Sequence, residues 1–437
     1  MSQIKIFDIM YLASKMLNKT QLKAKIGFFP LIILLIISFL GIGTFVYIRR
    51  THLLNTGSAN SFPQKISATS PIGIFAVLAL KDTNNISFAD ETYKNPNISG
   101  VAPRISWNAL EPQENQFKWQ ILDDIFQKAS ANNKKIIIIP IAGFDTPQWA
   151  LQGVQTANFP RKYGKGAGQI SSLPIPWDQT YLTRWYTFLG QVANRYGNNS
   201  ALVMIGVGGP TSVSAEMSLP NTDNDLRTWI SLGYTPSKYE NAWKQTFTEY
   251  ARLFPHQHFA LALYPGLPIN EQGQVDQSAS AASRQAIIDL GENMYPNQFA
   301  LQTSGLNASK APGGGYDIVL SFNGKIATGF QMSTSASIKP AKMGDSSNPV
   351  NALKLSIDKG VTPNQLGQTI KYLEIYEPDI NNPDMQSVLA YGQQLLLTGK
   401  VVQPTIPLNN EENIRKHDKR KIIDTTQIDE IDPTVNY

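Results

Sequence analysis

Pro103–Trp149 reads PRISWNALEPQENQFKWQILDDIFQKASANNKKIIIIPIAGFDTPQW. Arg104 and Trp107 lie on a short strand pattern, and Leu110-Glu111-Pro112 makes a turn. The aromatic pair Phe117 and Trp119 then leads into Leu122-Asp123, and apolar residues recur at three- and four-residue intervals through Phe117–Ala131, the spacing of an amphipathic helix. A continuous apolar run, Lys135–Ala142, follows and ends at Thr146-Pro147-x-Trp149. Strand, helix and buried strand in that order mark a βαβ unit of a parallel sheet.

The pattern continues in both directions. Strands are expected at Gly73–Leu80, Gly100–Trp107, Lys135–Ala142, Leu202–Gly208, Phe259–Tyr264, Phe299–Thr303, Ile326–Met332 and Lys371–Tyr376, with helices such as Tyr181–Tyr196, Lys238–Leu253 and Met385–Leu397 between them. Eight strands with intervening helices over about 330 residues predict an α/β fold closed as a (β/α)8 barrel, rather than an open doubly wound sheet. No G-x-G-x-x-G, phosphate-binding loop or fixed-period repeat interrupts that reading.

The 437 residues, 42% hydrophobic and 16% charged, suffice for one large core with appendages. Ile26–Ile48 has no charged residue and is long enough as a helix to cross a hydrocarbon layer of about 30 Å. Arg49 and Arg50 follow it where a cleaved leader would carry small residues, so a retained signal anchor is expected. Lys15, Lys19, Lys23 and Lys25 precede the span and orient the amino terminus to the cytoplasm. The expected organisation is a cytoplasmic basic segment (1–25), a transmembrane anchor (26–48), a linker (49–71), an extracellular barrel (72–400) and a charged, disordered tail (401–437).

Composition also excludes chemistry. With no cysteine, thiolate catalysis and disulfides are out of reach. His256 and His258 are the one close histidine pair among four, and they flank an apolar run as strand-edge residues rather than metal ligands. The net charge of +5 is spread along the chain, apart from clusters before residue 26 and at Arg415–Lys421, so nucleic acid is not an expected partner. No cofactor is implied.

The order and spacing of the motifs in Pro103–Trp149 resemble strands two and three of clan A glycoside hydrolases, (β/α)8 barrels of the β-galactosidase-like and cellulase-like branch. The segment PIPWDQTYLTRWYTFLGQVANRYGNN (174–199) is similar to the helix before strand four of those enzymes and widens the resemblance to about residues 73–250. The resemblance implies sugar chemistry at the carboxyl ends of the strands. It implies that Arg104 steadies a catalytic carboxylate, the alternative being an Arg that ties loops by salt bridges. Glu111 belongs to the family pattern as a turn-stabilising residue. Asp145 and Trp149 follow strand three, where a carboxylate and an aromatic platform grip a sugar ring or a Trp lids the barrel rim. Trp107, Tyr264, Arg161, Tyr163 and Trp177 fill out a possible cleft, while Trp185 and Tyr196 have core spacing.

The sequence departs from the family at strands four and seven. Clan A enzymes carry Asn-Glu at the end of strand four, whereas LVMIGVGGPTSVSAEMSLP has Gly-Gly-Pro and then Glu216, loosely resembling the β-amylase loop. Glu216 is the candidate general acid, or else a plain loop Glu. At the strand-seven nucleophile position ATGFQMSTS places Gln331, which cannot form a glycosyl ester. One strand later, alternation in KYLEIYEPDI puts Tyr372, Glu374 and Tyr376 on one face, so Glu374 points into the barrel as nucleophile, base or half of an ion pair with Arg104. Glu377 and Asp379 fall at the rim, for substrate hydrogen bonding or solvent. Two function classes remain: a membrane-anchored extracellular glycoside hydrolase using Glu216 and Glu374, and a degenerate barrel that binds surface glycans. A structural envelope protein is a third, weaker reading.

The anchor has a direct test. Protease added to intact cells is expected to remove the barrel, whereas full protection, or a mature chain starting near Ser58, contradicts the assigned topology.

Overall fold

The computed structural model describes residues 70–79, 86–162, 164, 166–311 and 313–399. The expected anchor at Ile26–Ile48, most of the linker, Tyr163 and the charged tail lie outside them. Among the described residues no helix is long and apolar enough to cross a membrane.

The strands are β1 (Gly73–Val77), β2 (Gly100–Ala102), β3 (Arg104–Ser106), β4 (Lys135–Ile141), β5 (Thr156–Pro160), β6 (Ile170–Pro174), β7 (Leu202–Gly206), β8 (His258–Ala262), β9 (Phe299–Leu306), β10 (Ala327–Met332) and β11 (Tyr372–Tyr376). All but β5 and β6 pair in parallel, in the order β2-β1-β11-β10-β9-β8-β7-β4-β3, and a β2–β4 pairing closes the circle. The result is a (β/α)8 barrel in which β2 and β3 share the second position.

The sequence reading differs there in one respect. Pro103 has no N–H to give a ladder, so the expected strand Gly100–Trp107 is split in two. It also ends one residue early, because the Ser106 hydroxyl accepts from the Ala109 amide at 3.0 Å and caps a helical turn at Trp107–Leu110. The antiparallel hairpin β5–β6 was not anticipated; it rises from the loop after β4.

Two packed layers hold the barrel. The outer one is rich in aromatics, with Trp107, Trp185, Trp243, Phe247 and Tyr250 fully buried between strands and helices. The inner one is formed by alternate strand residues, among them Phe75, Ile137, Met204 and Tyr372. Small residues on β8, β9 and β10, namely Ala260, Ala300, Ala327 and Gly329, leave room for the Tyr372 ring, which meets Phe75 edge-on at 6.5 Å.

A methyl group on Gly329 would collide with the Tyr372 ring. Gly329→Ala is therefore expected to lower stability by about 1–3 kcal/mol through overpacking. Gly305→Ala, with nothing near the added carbon, is the control. Equal denaturant midpoints for the two variants would show that the interior yields at no cost.

Candidate functional site

The loop after β7 is the most constrained part of the mouth. Gly208 and Gly209 lie just beyond the end of β7, and φ of +127° at Gly209 lies in the region open to glycine, against the Trp185 indole. Trp185 donates its indole N–H to the Gly208 carbonyl at 2.9 Å, Tyr181 its hydroxyl to the Gly209 carbonyl at 2.6 Å, and Tyr239 its hydroxyl to the carbonyls of Pro210 and Met217 at 3.0 and 3.2 Å. The Tyr250 hydroxyl accepts from the Gly208 amide at 2.8 Å. Ser212 closes the loop by donating its amide and its hydroxyl to the Ser218 carbonyl. Gly143, at φ +60°, lets the β4 end pass against the Thr211 and Ser212 carbonyls. The loop then runs alongside β8: Glu216 bridges Ala262, and the Met217 amide donates to the Ala262 carbonyl at 3.0 Å.

This scaffold presents Glu216 on the wall of a cavity of about 750 Å³ at the carboxyl ends of β8 and β9, with Tyr264, Thr303, Ser304, Arg284 and Tyr316. Glu216 is partly accessible through that cavity. Burial on its other sides raises its pKa above the usual carboxylate range, against the Ser304 hydroxyl and the Arg104 charge, which lower it. A second cavity of about 230 Å³ shares Tyr264 as a wall, and a third of about 400 Å³ shares Phe144 with the second. The third holds Asp145, which accepts from Arg161 at 2.7 Å beside the β5–β6 hairpin.

Glu374 stands in register with Phe75 on one side and Gln331 on the other, inside the barrel, with no exposed surface. Arg104, 2% exposed, donates to the Leu78 carbonyl at 2.9 Å and to the Gln331 side-chain oxygen, and lies over the Tyr376 ring. Gln331 donates onward to the Tyr376 hydroxyl at 3.3 Å. Arg104, Gln302, Ser304, Gln331 and Glu374 surround a cavity of about 10 Å³ beneath Ser214 and Ala215, at the lower limit of room for one water. Ser304 lines this cavity and the large one alike.

Among the described residues neither Glu374 oxygen has a hydrogen-bond partner in good geometry. Burial raises its pKa from 4.5 to about 7; Arg104 and the Gln302 amide pull it down, and the charge of Glu216 pushes it up. Glu374 thus feels the charge of Glu216, and Arg104 acts on both carboxyls. No hydrogen bond or ion pair joins Arg104 to Glu374 among the described residues, so Arg104 acts on it through space.

The remaining candidates lie apart from this group. Trp107 is fully buried in the outer layer, edge-on to Trp149 and Trp185, and donates its indole N–H to Glu111 at 2.9 Å. Trp149 donates to the Glu111 carbonyl at 3.1 Å and keeps one part exposed. Glu377 accepts from the Ala89 amide and the Thr92 hydroxyl, and buried Asp379 from Ser335, Ala336 and Ser337. Trp177 packs with Trp229 and Tyr234. His258 is bound between Ser70 and the Gln298 carbonyl, with His256 exposed beside it. Arg284, Gln302 and Ser304 belong to the site and were not anticipated.

With this geometry in hand, comparison with known proteins is informative. The chain carries a (β/α)8 barrel that is similar to glycoside hydrolases over part of its length. The glycoside hydrolase family 42 model, described as β-galactosidase, matches residues 89–254. No curated protein sequence matches the chain. Among solved structures, the catalytic domain of β-amylase from Paenibacillus polymyxa aligns at 10% identity and a TM-score of 0.49, over 76% of this chain and 100% of that one. Xylanase 10B from Thermotoga petrophila RKU-1, in complex with xylobiose, aligns at 12% identity and a TM-score of 0.41, over 70% and 82%.

The charge of Glu374 sets a pH dependence of stability. The folded chain holds the Glu374 proton to about pH 7 and the unfolded chain to about 4.5. The resulting stabilisation is full below the unfolded value and is lost as pH rises through 7, by about 3 kcal/mol in all. Denaturant midpoints should fall between pH 5 and 8 in the natural protein and far less in Glu374→Gln. Arg104→Ala is expected to cost about 3–5 kcal/mol, because it strands the Leu78 carbonyl and the Gln331 amide and removes the cation between the carboxyls. Small and equal losses for both variants would show that the interior charges are independent.

Proposed function

We propose that the protein is a glycoside hydrolase acting on a polysaccharide or oligosaccharide, with Glu216 as general acid and Glu374 as its partner carboxyl. The observation that carries this reading is Glu216 itself: a carboxyl of raised pKa, on a loop pinned by buried hydroxyls and an indole, at the wall of the large cavity in the barrel mouth. A raised pKa keeps the proton in place to higher pH than on an ordinary carboxyl, as donation to a glycosidic oxygen requires. In the reaction the bond from the anomeric carbon to the bridging oxygen breaks and that oxygen takes the Glu216 proton. Water supplies hydroxyl to the anomeric carbon, and its remaining proton passes through Glu374 as base and restores Glu216. Arg104, felt by both carboxyls, stabilises the state in which both are charged. The span 26–48 would hold the barrel on the outer face of the membrane, where such substrates occur.

A second reading has its own support. Gln331 stands where a nucleophile is expected and is engaged by Arg104, and Glu374 has no exposed surface. Those features favour a barrel that binds glycans without cleaving them.

Kinetics separate the two. Glu216→Gln should lower turnover of natural glycans about 10²–10⁴-fold, spare aryl glycosides whose leaving groups need no proton, and leave binding intact. The activity of the natural protein should fall as pH rises through the raised Glu216 pKa. Tight glycan binding with no turnover, unaffected by changing Glu216, would overturn the hydrolase and leave the binding protein.

A further inference from the structure

The helix Gln277–Met294 after β8 carries Arg284 into the wall of the 750 Å³ cavity that also holds Glu216. Arg284 is largely withdrawn from water: its Nε is fully shielded. Among the described residues its guanidinium makes no hydrogen bond and no ion pair, and no carboxylate offsets the lowering of its pKa by burial. A desolvated cation without a counter-charge is costly in a folded protein, and a guanidinium fork is shaped for an oxyanion. The cavity provides the space for one. Arg284, Lys310 and Lys359 line it against a single carboxyl, Glu216, among the described lining residues. Lys359 is anchored by the carbonyls of Asn307 and Lys310 and sits over the Tyr316 ring, so the cationic wall is held in place. Tyr264 and Tyr316, the latter backed by the buried Phe330 ring, supply apolar surface for a sugar ring beside these cations.

We propose that this cavity takes an acidic glycan, a sugar bearing a carboxylate or sulfate ester, and that Arg284 is the residue that binds its oxyanion. The inference rests on the cavity being the glycan site assigned above, and it specifies the substrate class.

Calorimetric binding and turnover should be measured for oligosaccharides containing a hexuronic acid, for their carboxyl-reduced counterparts, and for sulfated and desulfated pairs. The natural protein should bind one charged series about tenfold or more tighter than its neutral counterpart, as a charge-assisted pair would give. Arg284→Gln should abolish that difference and Arg284→Lys should restore part of it. Whichever charged series prevails identifies the oxyanion. Equal affinity for charged and neutral members of both pairs overturns the inference, and this comparison needs no variant to fold. If neutral glycans are hydrolysed in a Glu216-dependent way without charge preference, the acidic-glycan inference fails while the hydrolase stands. If charged glycans bind through Arg284 and are never cleaved, the hydrolase fails while the inference stands.

Discussion

A single buried cation organises the centre of this barrel. Arg104 reaches from the second strand position across the interior, is held by the Leu78 carbonyl, Gln331 and the Tyr376 ring, and lowers the pKa of both Glu216 and Glu374. Without it, burial would raise both pKa values further, with the charge of Glu216 adding to the rise at Glu374. The cation is too weak a counterweight to restore ordinary acidity to either, and burial keeps both pKa values raised. The small inner residues of β8–β10 matter for the same reason: their reduced bulk accommodates Tyr372, whose hydroxyl donates at 2.6 Å to Gln302, and the Gln302 amide lowers the Glu374 pKa in turn.

Much of the fold was legible because its strands are short apolar runs with breakers between them, and burial on both faces demands little else. The inward turn of Glu374 followed from alternation alone, since Tyr372 and Tyr376 share its face and Leu373 packs on the outer layer. Other features depend on contacts distant in sequence. Trp107 stands three residues from Arg104, so alternation sends it to the opposite face, and the turn capped by Ser106 buries it beneath the helices. Glu377 resembles a rim carboxylate in sequence, but its partners Ala89 and Thr92 lie almost three hundred residues away. Gln302 and Ser304 offered a local signal, polar residues at alternate positions with Ala300 in Phe299–Leu306. Arg284 offered none, because its significance is the lack of a nearby acid and only a folded chain can reveal that.

The polar groups of the barrel fall into two compartments. The interior group around Glu374 has almost no exposed surface, whereas the outer cavities are lined by the more accessible Glu216 and Asp145. Ser304 lines both compartments.

The loop carrying Glu216 has a further property. Its carbonyls and amides are tied to Tyr181, Trp185, Tyr239 and Tyr250, side chains of the helices that sheath the barrel, and to the β8 backbone. A loop secured to the core in this way opens only when the core does, so its amides should exchange with solvent hydrogen as slowly as those of the central strands. Loops at a barrel mouth are usually among the first segments to breathe, whereas the fastening of this one would leave adaptation to different ligands to the walls facing Glu216.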